Sequence, residues 1–138
     1  MNALDLEKIA DLRVKHLEMV QAIVSRMAGY CASVKNFCVT ITIAICGYSI
    51  STKSGQLLDF AFIPVVVFSL LDAQYLNLER RFRNLFEQIR LEDWNQRPTF
   101  EITLDRVPDV GFLSALNSWS IKSFYIPIFV AVIVAKMV

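Results

Sequence analysis

The sequence predicts an all-α membrane protein: an N-terminal amphipathic helix in the cytosol plus three transmembrane helices, the second extended into the cytosol. Three observations lead there. Hydrophobic residues make up 55% of the 138-residue chain, above the roughly 45–50% usual in a soluble domain. Charged residues are 20% and gather in blocks instead of spreading evenly. The apolar run from Leu57 to Leu78 passes straight into ERRFRNLFEQIR, with no Gly or Pro between them. The roughly 20 residues that cross a ~30 Å hydrocarbon core fit inside that run. Its continuation would leave the membrane as the same rod, and residues 1–138 form a single membrane domain.

Residues 4–28 carry the first helix. Asp5 stands at a capping position, and Glu7, Lys8, Asp11, Arg13, Lys15 and Glu18 supply opposite charges three and four residues apart. Leu6, Ala10, Leu17, Val20, Val24 and Met27 make one apolar stripe, interrupted by Arg13. Ile9, Leu12, Met19 and Ile23 make a second, interrupted by His16. The segment is too charged to span, and its charges are mixed in sign, unlike the Lys/Arg-rich face of a surface anchor, so packing in a cytosolic bundle is favoured. It has no apolar core followed by a small-residue cleavage site, so insertion without cleavage is expected.

The first span covers residues 34–52, with Lys35 and Lys53 marking its edges. Its many β-branched residues are tolerated in hydrocarbon, where the backbone has no better partner than the helix itself. Lys53-Ser54-Gly55-Gln56 is a turn. The second span covers 57–78, with a mild kink expected at Pro64, and continues to about residue 91 as a cytosolic helix. Residues 92–109 form a polar connector holding Pro98 and Pro108. Within it Thr99–Leu104 alternates like a strand, but a lone strand cannot satisfy its edges, so an extended path is expected. Residues 110–137 begin with an interfacial turn around Phe112, Leu113, Leu116 and Trp119, and beyond Lys122 become the third span.

Orientation follows from the basic residues. Five lie in residues 1–35 and seven between Arg80 and Lys122, whereas Lys53 and Lys136 stand alone on the opposite side. Positive charge stays inside, so the N-terminus and the 79–122 region are expected in the cytosol and the C-terminus outside.

No Ser/His/Asp arrangement, glycine-rich phosphate loop or HExxH motif is present, so no enzyme is predicted. Cys31, Cys38 and Cys46 form no CxxC and His16 is the sole histidine. Neither a metal site nor a cofactor is therefore expected, and the cysteines read as small hydrophobes. Asp72 is the more telling residue, because a charge inside a span usually faces a partner or water. It either hydrogen-bonds Tyr75 or Asn77, or forms an ionic contact at a pore mouth or between subunits. Asp72, Glu79, Arg83 and Arg90 fall along one side of a continuous helix. Ser33, Asn36, Thr40, Ala44, Gly47 and Ser51 place one small or polar residue on each turn of the first span, a stripe for close helix packing or for a wet pathway. Arg80, Arg81, Arg83 and Arg90, interleaved with Phe82 and Phe86, are candidates for binding phosphates or stacked bases. Failing them, the basic residues around Arg13, Lys15 and His16 are the next choice.

The run SLLDAQYLNLERRFRNLF, Ser69 to Phe86, resembles a family of small bacterial membrane proteins with the motif LDxxYLxxERxFRxLY. Asp72, Tyr75, Leu76, Glu79, Arg80, Phe82 and Arg83 match it, and Phe86 stands where the family often has Tyr. Arg26-Met27 with Lys35, and Ser123-Phe124-Tyr125, match two looser elements. Members look like membrane effectors of anti-phage systems, including the channel subunit of Hailong-type systems. The resemblance implies a place in the bacterial inner membrane and control by a nucleotidyltransferase partner or its nucleic-acid oligomer product.

The expected function is a homo-oligomeric pore or ion-channel effector, gated at its cytosolic basic helices. Three spans per chain cannot enclose a useful conducting path, so a pore needs several copies in the lipid bilayer. The alternative is a non-conducting anchor that docks a soluble partner.

Overall fold

The computed structural model describes residues 3–137, and every regular element among them is helical. The helices are α1 (Ala3–Thr52), α2 (Leu57–Phe60), α3 (Phe62–Arg90), α4 (Phe112–Leu116) and α5 (Trp119–Met137). Three stretches are long and apolar enough to cross a membrane: Asp5–Thr52, Leu57–Arg90 and Trp119–Met137.

Residues 4–28 and 34–52, expected as two helices, are one helix of 50 residues, about 75 Å long at ~1.5 Å per residue. The five residues expected to separate them contain no Pro. Gly29 alone costs a helix about 1 kcal/mol relative to Ala, little against the packing of the whole helix on α3. The helix ends where Lys53 turns left-handed at φ 52°. Ser54 N–H then reaches back to the Ser49 carbonyl at 3.1 Å, closing the helix C-terminus. The kink expected at Pro64 is an interruption at Ala61, because Pro64 lacks the N–H that would bond the Phe60 carbonyl one turn back.

α1 and α3 pack antiparallel with a steady register. Tyr30 meets Tyr75 with ring centroids 5.3 Å apart, Lys35 and Cys31 meet Asp72, and Arg13 meets Glu92 beyond the end of α3. α5 returns along α3 toward the α1–α2 turn. Tyr125 Oη donates to the Phe68 carbonyl at 3.2 Å, and Lys136 pairs with Asp59.

Two apolar cores result. One holds Cys38, Val65, Ala73, Ala115, Ile121 and Tyr125 among α1, α3, α4 and α5. The other holds Val20, Leu85, Ile89 and Val107, where the connector folds back over α1 and α3. The connector has no regular structure between Arg97 and Thr103, in keeping with an extended path. Arg13 pins it: Nε donates to the Gln96 carbonyl at 3.0 Å, Nη2 to the Asp93 carbonyl at 2.8 Å, and Nη1 pairs with Glu92.

Candidate functional site

Between the two cores lies a layer of charge. Lys35 from α1 places Nζ 2.5 Å from Asp72 Oδ2 on α3. The Asp72 side chain is 1% exposed, and neither of its oxygens has a directional hydrogen bond among the described residues. The contact is therefore one of charge with little orientation. Lys35 also lies over the Phe124 ring, with Nζ 5.8 Å from the centroid, so α5 contributes to holding it. Two turns along α3, Glu79 pairs with Arg83 Nε at 2.7 Å. Cys31, Lys35, Asp72, Glu79 and Ser120 line one cavity of about 340 Å³.

Of the two expectations for Asp72, the hydrogen bond to Tyr75 or Asn77 is not formed. Its contact is ionic, but with Lys35 of the same protomer, read from sequence only as the edge of a span. Asn77 instead donates to Asp109 Oδ1 at 3.3 Å. Asp109 also accepts from Gly111 N–H at 3.1 Å. Those two bonds, the backbone one first, hold its carboxyl below the ordinary carboxylate value.

The four arginines do not form one patch. Arg80 donates to Ser118 Oγ at 3.1 Å and Arg81 to the Leu104 carbonyl at 3.2 Å, so these two fasten α3 to the segments packed on it. Arg83 and Arg90 are the exposed pair, with side chains 64% and 53% accessible, and they bond Glu79 and Glu87. Arg81 and Arg83 are two residues apart, which turns them about 200° from each other around the helix. Asp72, Glu79, Arg83 and Arg90 do share one line, but it passes from inside to outside. Asp72 and Glu79 face α1, whereas further along α3 the packed positions become Leu85 and Ile89. The fallback site is closed as well. Arg13 and His16 are buried beneath the connector, with the His16 ring tilted against Phe100 at 5.4 Å between centroids, and Lys15 alone is exposed.

The stripe on α1 faces outward along its whole length. Ser33, Asn36, Thr40, Ala44, Gly47 and Ser51 are all exposed, while Val34, Cys38, Thr42 and Ser49 turn inward. Its hydroxyls are partly satisfied by the helix itself: Ser33 donates to the Gly29 carbonyl at 3.0 Å and Thr40 to the Asn36 carbonyl at 2.9 Å. The Asn36 amide has no such partner among the described residues. Packing within the protomer therefore does not explain the stripe.

Among the described residues no group of His, Cys, Asp and Glu is placed to hold a metal. The ion-pair layer instead brings two carboxylates, Asp72 and Glu79, and one lysine, Lys35, to the wall of one cavity. Comparison with known protein families, with curated proteins and with solved structures finds no match in any of the three.

Proposed function

We propose that the chain is a homo-oligomeric pore effector of the bacterial inner membrane, gated from its cytosolic side. The observation that carries this reading is the outward stripe on α1. A membrane helix that turns Asn36, Thr40, Gly47 and Ser51 away from its own bundle presents polar and small groups that hydrocarbon serves poorly. Copies of the chain arranged around an axis would give those groups water or each other. The positive-inside asymmetry puts the N-terminus and connector in the cytosol and the C-terminus in the periplasm.

Control in this reading runs through Arg83 and Arg90. An anionic ligand, such as the nucleic-acid oligomer that the motif resemblance suggests, competes with Glu79 and Glu87 for these exposed guanidiniums. Losing Arg83 leaves Glu79 uncompensated in the cavity that also holds Lys35 and Asp72. The ligand shifts the pore only if it binds one arrangement of this layer better than the other. Arg80 and Arg81 hold neighbouring segments in place and are not the informative variants.

The test is ion flux from liposomes, together with native mass of the assembly. Wild type is expected to form a ring and conduct, and Thr40→Leu to lower flux without changing the subunit number. Arg83→Glu/Arg90→Glu is expected to lose the response to ligand with assembly intact. A monomer without flux would leave the rival reading, an anchor that docks a soluble protein on the connector-side surface.

A further inference from the structure

At the end of the bundle away from the connector, α1 and α5 diverge and leave a slot of about 460 Å³. Val39, Ile43, Ile128 and Val132 wall it, and Gly47 and Ala131 keep it open. A second cavity of about 600 Å³ adjoins it, and Ile50 and Ala135 line both. The second is of opposite character: Ser49, Ser54, Lys53 and Lys136 are among its lining residues. We infer that these two adjoining cavities form a binding site for one anionic phospholipid, with an acyl chain between α1 and α5 and the phosphate at Lys53 and Lys136.

The chemistry selects that occupant. The slot opens between two helices apolar enough to cross a membrane, so acyl chains are the fluid that meets it. Its mouth carries two ammonium groups against a single carboxylate, Asp59, which already pairs with Lys136. Lysine is a compact point charge suited to a phosphate. A second copy of the chain is a poorer match. In the stretches 34–71 and 119–137 the only acidic side chain is Asp59, already paired, so a neighbouring copy offers these lysines no unpaired acidic side chain. A free anion would use the lysines but leave the apolar slot without a role.

Native mass spectrometry of the detergent-purified protein, titrated with dioleoyl phosphatidylglycerol or dioleoyl phosphatidylcholine, tests this. Both lipids bring the same chains. Wild type is expected to retain the anionic lipid about fivefold better, the preference that one lysine near an anionic headgroup supplies. Lys53→Asn/Lys136→Gln should bring that ratio to about one while phosphatidylcholine adducts persist; asparagine suits the left-handed backbone at this position. Asp59→Asn, which frees Lys136, should raise the ratio. Ala131→Phe, at an exposed position with circular dichroism as the folding control, should reduce both lipids together. Ala135→Leu is the second slot-filling variant should that one fail to fold. Equal retention of the two lipids by wild type overturns the assignment, as does a ratio unmoved by the lysine variants. So does displacement of phosphatidylglycerol by millimolar inorganic phosphate, which would mark a plain anion site. Undiminished binding in a folded slot-filling variant would place the lipid elsewhere.

Discussion

Lys35 and Asp72 are a pair whose two halves differ in burial, and that difference predicts unequal consequences of removing each. Asp72 is 1% exposed and Lys35 19%. In Lys35→Met the carboxylate stays behind, buried and without its ion partner. Leaving a buried charge without its partner costs about 3–5 kcal/mol, or at least about a hundredfold in the folding equilibrium. In Asp72→Asn the ammonium that remains is on a flexible stem, can reach toward the surface and keeps the Phe124 ring. Its loss is about 1–2 kcal/mol, the scale of one charged contact exchanged for a neutral one. Lys35→Met/Asp72→Leu removes both charges and fills the space, so it is expected near wild-type stability. Thermal unfolding in one detergent, followed by circular dichroism, ranks the four proteins. Equal losses in the two single variants, or a double variant as unstable as the sum of both, would refute this account of the layer.

Other expectations rest on single contacts. Arg13→Ala removes a side chain that is 4% exposed and bonds three connector residues. It should lower stability by about 3 kcal/mol and open the connector to trypsin at Arg97, with helix content unchanged. Asp109 is held ionised by Gly111 N–H and Asn77, so its stabilising effect is in place above the ordinary carboxylate pKa of about 3.9 and is lost as pH falls through its lowered folded value. Asn77→Ala should raise that pKa toward the ordinary value, measured by carboxyl NMR titration. Gly111→Ala should cost about 1 kcal/mol in thermal unfolding, because φ is 86° there although the space for a Cβ is open.

Element types were legible in the sequence because length and hydropathy are local properties. The long apolar runs, the turn at Lys53-Ser54-Gly55-Gln56 and the breaker at Pro64 can each be read from a few neighbours. Element joins were harder. A Gly at position 29 looks like punctuation, but whether a helix passes through it depends on what packs along both sides. Partners across the fold were least legible. Lys35 and Asp72 are far apart in sequence, and their pairing follows from the antiparallel register of α1 and α3, which the turn near Lys53 sets. That turn was visible, so counting outward from it would have aligned residue 35 with the region of 72 and residue 13 with that of 92. Asp72, as a charge inside a span, and Arg13 and His16, as polar residues interrupting apolar stripes, gave the direct signals, and all three are buried.

The unbroken α1 gives the ion-pair layer mechanical reach. Lys35 and Asn36 are adjacent, so they point about 100° apart on one helix. Lys35 faces inward to Asp72, while Asn36 lies on the outward stripe. No joint separates them from Arg13 at one end or from Ser51 at the other, because the helix runs from Ala3 to Thr52. Turning or sliding this rod is therefore one way to exchange Asp72 for Glu79, two turns along α3, as the partner of Lys35, and it would move the stripe with it. Under the proposed function this makes Glu79 the coupling residue. Glu79→Gln should keep Lys35 on Asp72 and preserve assembly, yet leave flux indifferent to whatever binds Arg83. A ligand response that survives intact in Glu79→Gln would show that the signal reaches the membrane by another path.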